Sequence, residues 1–179
     1  MAVMHTIGHS THPIEDFLGL LGQHRIALLA DVRSYPSSKR WPQFNQATLR
    51  ESVEHYRIEY RWLKGLGGRR RLAGESFNDG WEHSAFRAYA DYIAGTDGQA
   101  ALIELIDQAS EKRSAFMCSV GLWWQCHRRI ISVFMTVRGW EVVHIMPDGK
   151  LAPHRLTAFA AERNGIIEYR AAVNPIASN

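Results

Sequence analysis

Read for the alternation of apolar and polar positions, the chain divides into short, evenly apolar runs and longer amphipathic ones. "AVMHTIGH" (2–9) is a short apolar start. After it Ile14, Phe17, Leu18 and Leu21 recur at helical spacing, with Ser10 or Thr11 placed as the cap and Pro13 in the first turn. "RIALLADVR" (25–33) is continuous in apolar residues and ends on a charge pair, which predicts a buried strand. "NQATLRESVEHY" (45–56) predicts a helix and "IEYRWL" (58–63) a strand, while "AFRAYADYIAG" (85–95) and "QAALIELIDQAS" (99–110) predict two further helices. "SAFMCSVG" (114–121) predicts another buried strand. "QCHRRIISVFMTVRG" (125–139) predicts a helix closed by Gly139, and "WEVVHIM" (140–146) a last strand. The final amphipathic stretch predicts a C-terminal helix near 153–163 that covers an edge of the sheet.

Strands that alternate with helices predict an α/β fold: a three-layer, doubly wound, mostly parallel five-stranded sheet of Rossmann-like type. The length of 179 residues suits a single domain, 1–179. Two connections, 32–45 and 64–82, are longer than ordinary βα loops and carry aromatics and arginines, which marks them as functional loops.

Composition narrows the setting. Apolar residues make up 46% and charged residues 22% of the chain, ordinary values for a globular domain. No apolar run approaches membrane-spanning length, and the N-terminus lacks a signal-peptide layout, so no membrane partner is expected. Two cysteines, Cys118 and Cys126, do not make a disulfide scaffold, and the expected compartment is the reducing cytoplasm. The net charge of +3 is mild. Its distribution says more: Arg69, Arg70 and Arg71 are consecutive, Arg40 adjoins Trp41, and Arg128 and Arg129 follow Trp123 and Trp124. Guanidinium beside aromatic is the pairing that meets phosphate and base together.

Ligands of open parallel sheets bind at the carboxyl ends of the strands. Four segments fall there: "GHST" (8–11), "DVRSYP" (31–36), "LGGRRR" (66–71) and "CSVGLWWQCHRR" (118–129). His9 and Ser10 enter a helix N-terminus suited to anions. Asp31 offers a carboxylate, with Arg33 two residues on. Cys118, Cys126, His127 and His9 supply metal-ligand types, but the cysteine spacing is not C-x₂-C, so no metal and no cofactor are expected. A Cys126–His127 nucleophile pair is disfavoured, because neighbours on a helix point in different directions.

Taken together, "TIGHST", "ADVRSYPSSKRWPQFN", "LGG", "AFRAYADYI", "C…WWQCHRR" and "VVHI…HRLTAFA" resemble the domain-of-unknown-function 488 family along nearly the whole chain. The resemblance implies a compact bacterial α/β domain whose GHS, DVR and CHR segments correspond to Gly8–Ser10, Asp31–Arg33 and Cys126–Arg128. Val120 stands where similar sequences carry a glutamate after the first cysteine, a departure that puts an acid-dependent activity in doubt.

The leading expectation is a nucleotide- or nucleic-acid-processing protein that removes a base by breaking an N-glycosidic bond. Asp31 and His127 would be catalytic. The expected binding residues are His9, Ser10, Arg33, Tyr35, Arg40, Arg69, Arg70 and Arg128, with Trp41, Phe44, Trp123 and Trp124 stacking on a single-stranded or flipped base. The alternatives are a non-catalytic nucleotide or nucleic-acid binder and a metal- or thiol-dependent enzyme built on Cys118, Cys126 and the histidines.

Overall fold

The computed structural model describes residues 2–171. Five strands run parallel: β1 (Val3–Gly8), β2 (Leu28–Asp31), β3 (Glu59–Trp62), β4 (Ser114–Cys118) and β5 (Glu141–Ile145). Five helices connect them: α1 (Ile14–Gln23), α2 (Gln46–His55), α3 (Ser84–Ala94), α4 (Thr96–Ala109) and α5 (Arg128–Val137). The sheet order is β3-β2-β4-β1-β5-β6, where β6 (Leu151–Pro153) is antiparallel to β5. The expected five-stranded parallel sheet is present, with this sixth strand added at its edge.

Burial explains why these segments are strands. β2 and β4 are buried at every position, so both faces of each strand are covered and the sequence is apolar without alternation. One face packs Phe17, Leu18 and Leu21 of α1 and Leu49 and Val53 of α2 on Ile7, Leu29 and Met117. The other packs Tyr89 and Ile93 of α3, Leu102 and Leu105 of α4 and Ile131 and Phe134 of α5 on Met4, Ala30 and Phe116. That is the doubly wound, three-layer arrangement. Chain direction across the sheet reverses between β1 and β4, which places the topological switch point at Gly8 and Cys118, directly opposite each other.

Gly8 is what lets the chain cross there. A Cβ on it would lie 1.9 Å from the carbonyl oxygen of Val120, so only glycine admits the loop that leaves β4.

The C-terminal helix near 153–163 is not formed. Residues there belong to β6 and to a hairpin, β7 (Ala160–Arg163) and β8 (Ile166–Tyr169), that forms a separate two-stranded sheet. Asn164 and Gly165 turn it, at φ 53° and 80°, the conformation an Asn-Gly pair adopts in a tight hairpin. Tyr169 and Phe159 close on Trp81, at 5.1 and 5.0 Å between ring centroids, so the segment covers the α3 side with aromatic strand residues instead of a helical face. The alanines of this segment favour a helix locally, but the turn and the buried aromatics win. The cap of α1 also differs from expectation: the helix begins at Ile14 behind Pro13 and no side chain caps it.

Candidate functional site

A pocket of about 390 Å³ opens at the switch point. Its walls come from all four strand-end segments: His9; Arg33 to Tyr35 with Ser37 and Ser38; Gly68 and Arg69; and Cys118 to Val120 with Gln125 to His127, joined by Ala85 and Phe86 of α3. Among the described residues no carboxylate lines it.

Cys118 ends β4, and Cys126 and His127 lie between the 3₁₀ turn Trp123–Gln125 and α5. Cys126 is extended (φ −130°, ψ 152°) and His127 is not yet within the helix. The objection that helical neighbours diverge therefore fails: both side chains face Cys118. His127 Nδ1 is 3.5 Å from Cys126 Sγ and 3.9 Å from Cys118 Sγ. Its Nε2 lies 2.9 Å from the Val32 carbonyl, which only accepts, so Nε2 donates and Nδ1 is the ring nitrogen that faces the sulfurs. The Tyr89 ring meets the imidazole edge-on at 5.0 Å, and a Cβ on Gly68 would come within 2.5 Å of Nδ1. The ring is held from three sides. Hydrogen bonding from Cys126 and the neighbouring His127 push the Cys118 thiol down, whereas burial pushes the Cys126 thiol up.

Asp31 is fully buried and does not line the pocket. Its oxygens accept from Arg33 Nε at 2.9 Å, Arg33 Nη2 at 2.6 Å and the Tyr60 hydroxyl at 2.6 Å. The carboxylate holds the Arg33 side chain, which is only 6% exposed, while Arg33 as a residue belongs to the pocket wall. Burial beside Asp31 pushes the Tyr60 phenol well up.

The remaining predicted residues divide. Arg33, Tyr35, Arg69 and His9 are in the wall; the Arg69 guanidinium lies 5.5 Å from the centroid of the exposed Tyr35 ring. His9 donates through Nδ1 to the Ser10 carbonyl at 2.9 Å and stacks on Phe44 at 4.1 Å. Burial pushes its pKa down to about 4, so it is neutral at pH 7. Ser10 is not in the wall, and its N–H donates to the Ser119 carbonyl instead of standing free for an anion. Phe44 is fully buried core beneath His9 and beside Phe17. Arg40 lies over Trp41, outside the pocket, and Arg70 lies 3.5 Å from the Tyr92 ring centroid while donating to the Gly65 and Gly67 carbonyls.

Arg128 is 1% exposed and lies outside the pocket wall. It donates to the Val120 and Gly121 carbonyls and to Thr6 Oγ1, which fixes the loop after β4. Thr6 in turn lies 2.7 Å from His144 Nδ1, and His144 Nε2 lies 3.0 Å from His154 Nδ1. Trp123 stacks on His144 at 4.2 Å, and Trp124 lines a neighbouring hollow with Trp81 and Arg129. That hollow shares Phe86 and Gln125 with the main pocket, so the two adjoin.

Sequence reasoning missed the hydroxyls of Ser34, Ser37, Ser38 and Ser119 and the start of α3 at Ala85 and Phe86. The serines had a signal in their place on two strand-end segments. Ala85 and Phe86 had none, because α3 follows its strand only after a long loop.

A family model described as "Domain of unknown function DUF488" matches residues 13–135, most of the chain and three of the four pocket segments. No curated protein and no solved structure matches.

Proposed function

Because the chain belongs to the DUF488 family, a membership that names no reaction, we propose a function from the pocket itself: binding of a nucleotide, or of an unpaired nucleotide in a nucleic acid. The observation that carries this reading is the wall, which joins the Arg69 guanidinium, an exposed phenol ring and four serines without any carboxylate among the described residues. Guanidinium and hydroxyl groups suit phosphate oxygens, and Tyr35 offers a face for the base. The switch point is where open α/β sheets bind such ligands.

Base removal through Asp31 has no support in this geometry, since both of its oxygens are engaged by Arg33 and Tyr60. The reactive groups at the pocket floor are the two thiols and His127. Val120, 36% exposed in the wall, leaves an apolar surface where a glutamate would bring negative charge toward a bound phosphate. Binding is therefore favoured over hydrolysis as the reading.

Titration of mononucleotides, a short single-stranded oligonucleotide and its duplex across a salt series tests the proposal. A nucleotide-bearing ligand binds, and Arg69→Ala weakens it about tenfold, the size of one charge-assisted contact. For an oligonucleotide the affinity falls log-linearly with salt. Absence of binding to all three probes overturns the proposal.

A further inference from the structure

We propose that Cys118, Cys126 and His127 form a zinc site with three protein ligands and an open fourth position facing the pocket. The three donor atoms lie within 4.8 Å of one another. Zinc bound tetrahedrally at about 2.3 Å from sulfur and about 2.0 Å from nitrogen sets its S···N edges at about 3.5 Å. The observed Sγ···Nδ1 separations, 3.5 and 3.9 Å, meet that figure with a shift of a few tenths of an ångström at Cys118.

The support around the donors points the same way. A metal-binding imidazole ordinarily donates its other N–H to a carbonyl or carboxylate, which fixes tautomer and ring plane. His127 does so to Val32, and Tyr89 and Gly68 hold the ring. Cys118 is anchored by parallel pairing with β1, and Cys126 by the hydrogen bonds Cys126 N–H to Trp123 and Arg129 N–H to Cys126. Ligand softness selects the metal: two thiolates and an imidazole suit zinc and reject magnesium or calcium. On binding, each thiol gives its proton to solvent and the imidazole binds through the Nδ1 lone pair, on the side of the ring that faces both sulfurs.

The fourth donor that the sequence offers, His9, is not in the cluster. Its ring is stacked on Phe44 and tied to the Ser10 carbonyl. The vacant position is thus left to a water or to a ligand in the pocket, the arrangement of zinc sites that polarise bound groups. The site stands whether or not the pocket takes a nucleotide.

Reduced, metal-stripped protein titrated anaerobically with cobalt(II) and with zinc is the test. The expected result is one equivalent per chain, with the ligand-field and sulfur charge-transfer bands of tetrahedral thiolate-bound cobalt. Cys118→Ser and Cys126→Ser each weaken binding at least about a hundredfold. Imidazole added to the cobalt protein shifts the bands if the fourth position is open; bands unmoved by imidazole and azide alike overturn that part of the proposal. No stoichiometric uptake, an octahedral spectrum, or uptake retained in both serine variants overturns the site. Should the variants fail to fold, the wild-type spectrum decides, because its charge-transfer bands require sulfur ligands.

Discussion

Asp31 accepts from the Arg33 backbone N–H, from the Arg33 guanidinium and from the Tyr60 hydroxyl, all in the interior. An isolated Asp at the end of an apolar strand reads as a catalytic acid; the same residue in three dimensions is an anchor. Removing one partner of a buried ion pair leaves the other charged and unpaired, at a cost of about 3 kcal/mol or more. Asp31→Asn is therefore expected to lower the unfolding free energy by about that amount in urea denaturation. A variant as stable as the parent would show that Arg33 finds another partner. The thiol–imidazole cluster was legible only in part. Its residue types stand plainly in "CSVGLWWQCHRR", yet the spacing between the cysteines matches no metal motif, because a 3₁₀ turn and one extended residue bring Cys126 back under Cys118. The same holds for Arg128, whose neighbours in sequence gave no hint that its charge would be buried against Val120 and Gly121.

Among the elements, the strands and helices of the parallel sheet were legible because each carries its own period or an unbroken apolar run. The order of strands was not, since β4 enters between β1 and β2 and no local pattern encodes a partner so distant. The final hairpin was misread for a different reason: Ala160 and Ala161 sit on β7, and helix propensity outweighed the Asn164-Gly165 turn that marks it. The junction of β1 with the loop after β4 carries its own expectation. Gly8→Ala drives a methyl into the Val120 backbone, which cannot rotate away as a side chain can. The variant should lose about 2 kcal/mol, in the range for overpacked interiors, and its thermal midpoint measures this. An unchanged midpoint would mean that the loop moves without cost.

For the whole molecule, histidine burial sets the response to acid. Burial pushes His5, His9 and His154 down to about 4 and His144 to about 2, from an ordinary value near 6.5. The native state keeps these rings neutral, whereas the unfolded chain takes up protons below about pH 6.5. Stability from this source is thus fully present above that pH and is lost steadily as pH falls toward 4. Urea midpoints at pH 7.5, 6 and 5 should decline before ordinary carboxylates titrate. A flat profile down to pH 5 contradicts neutral burial. No helix among the described residues is long and apolar enough to cross a membrane.

The position of β4 also has a consequence for synthesis. β1 is made first, yet its two neighbours are β4 and β5, and β2 likewise waits for β4 on one side. A nascent chain that stops short of Ser114 holds β2 and β3 as a pair and leaves β1 with no strand to join. β4 arrives only after both strands it pairs with, β1 and β2, have been made, and β5 and β6 are then added on the far side of β1. Folding of this kind depends on contacts between distant segments and is slow to begin. Until β4 emerges, the apolar edges of β1 and β2 are open to other chains, and truncation before Ser114 should yield aggregate instead of a smaller domain.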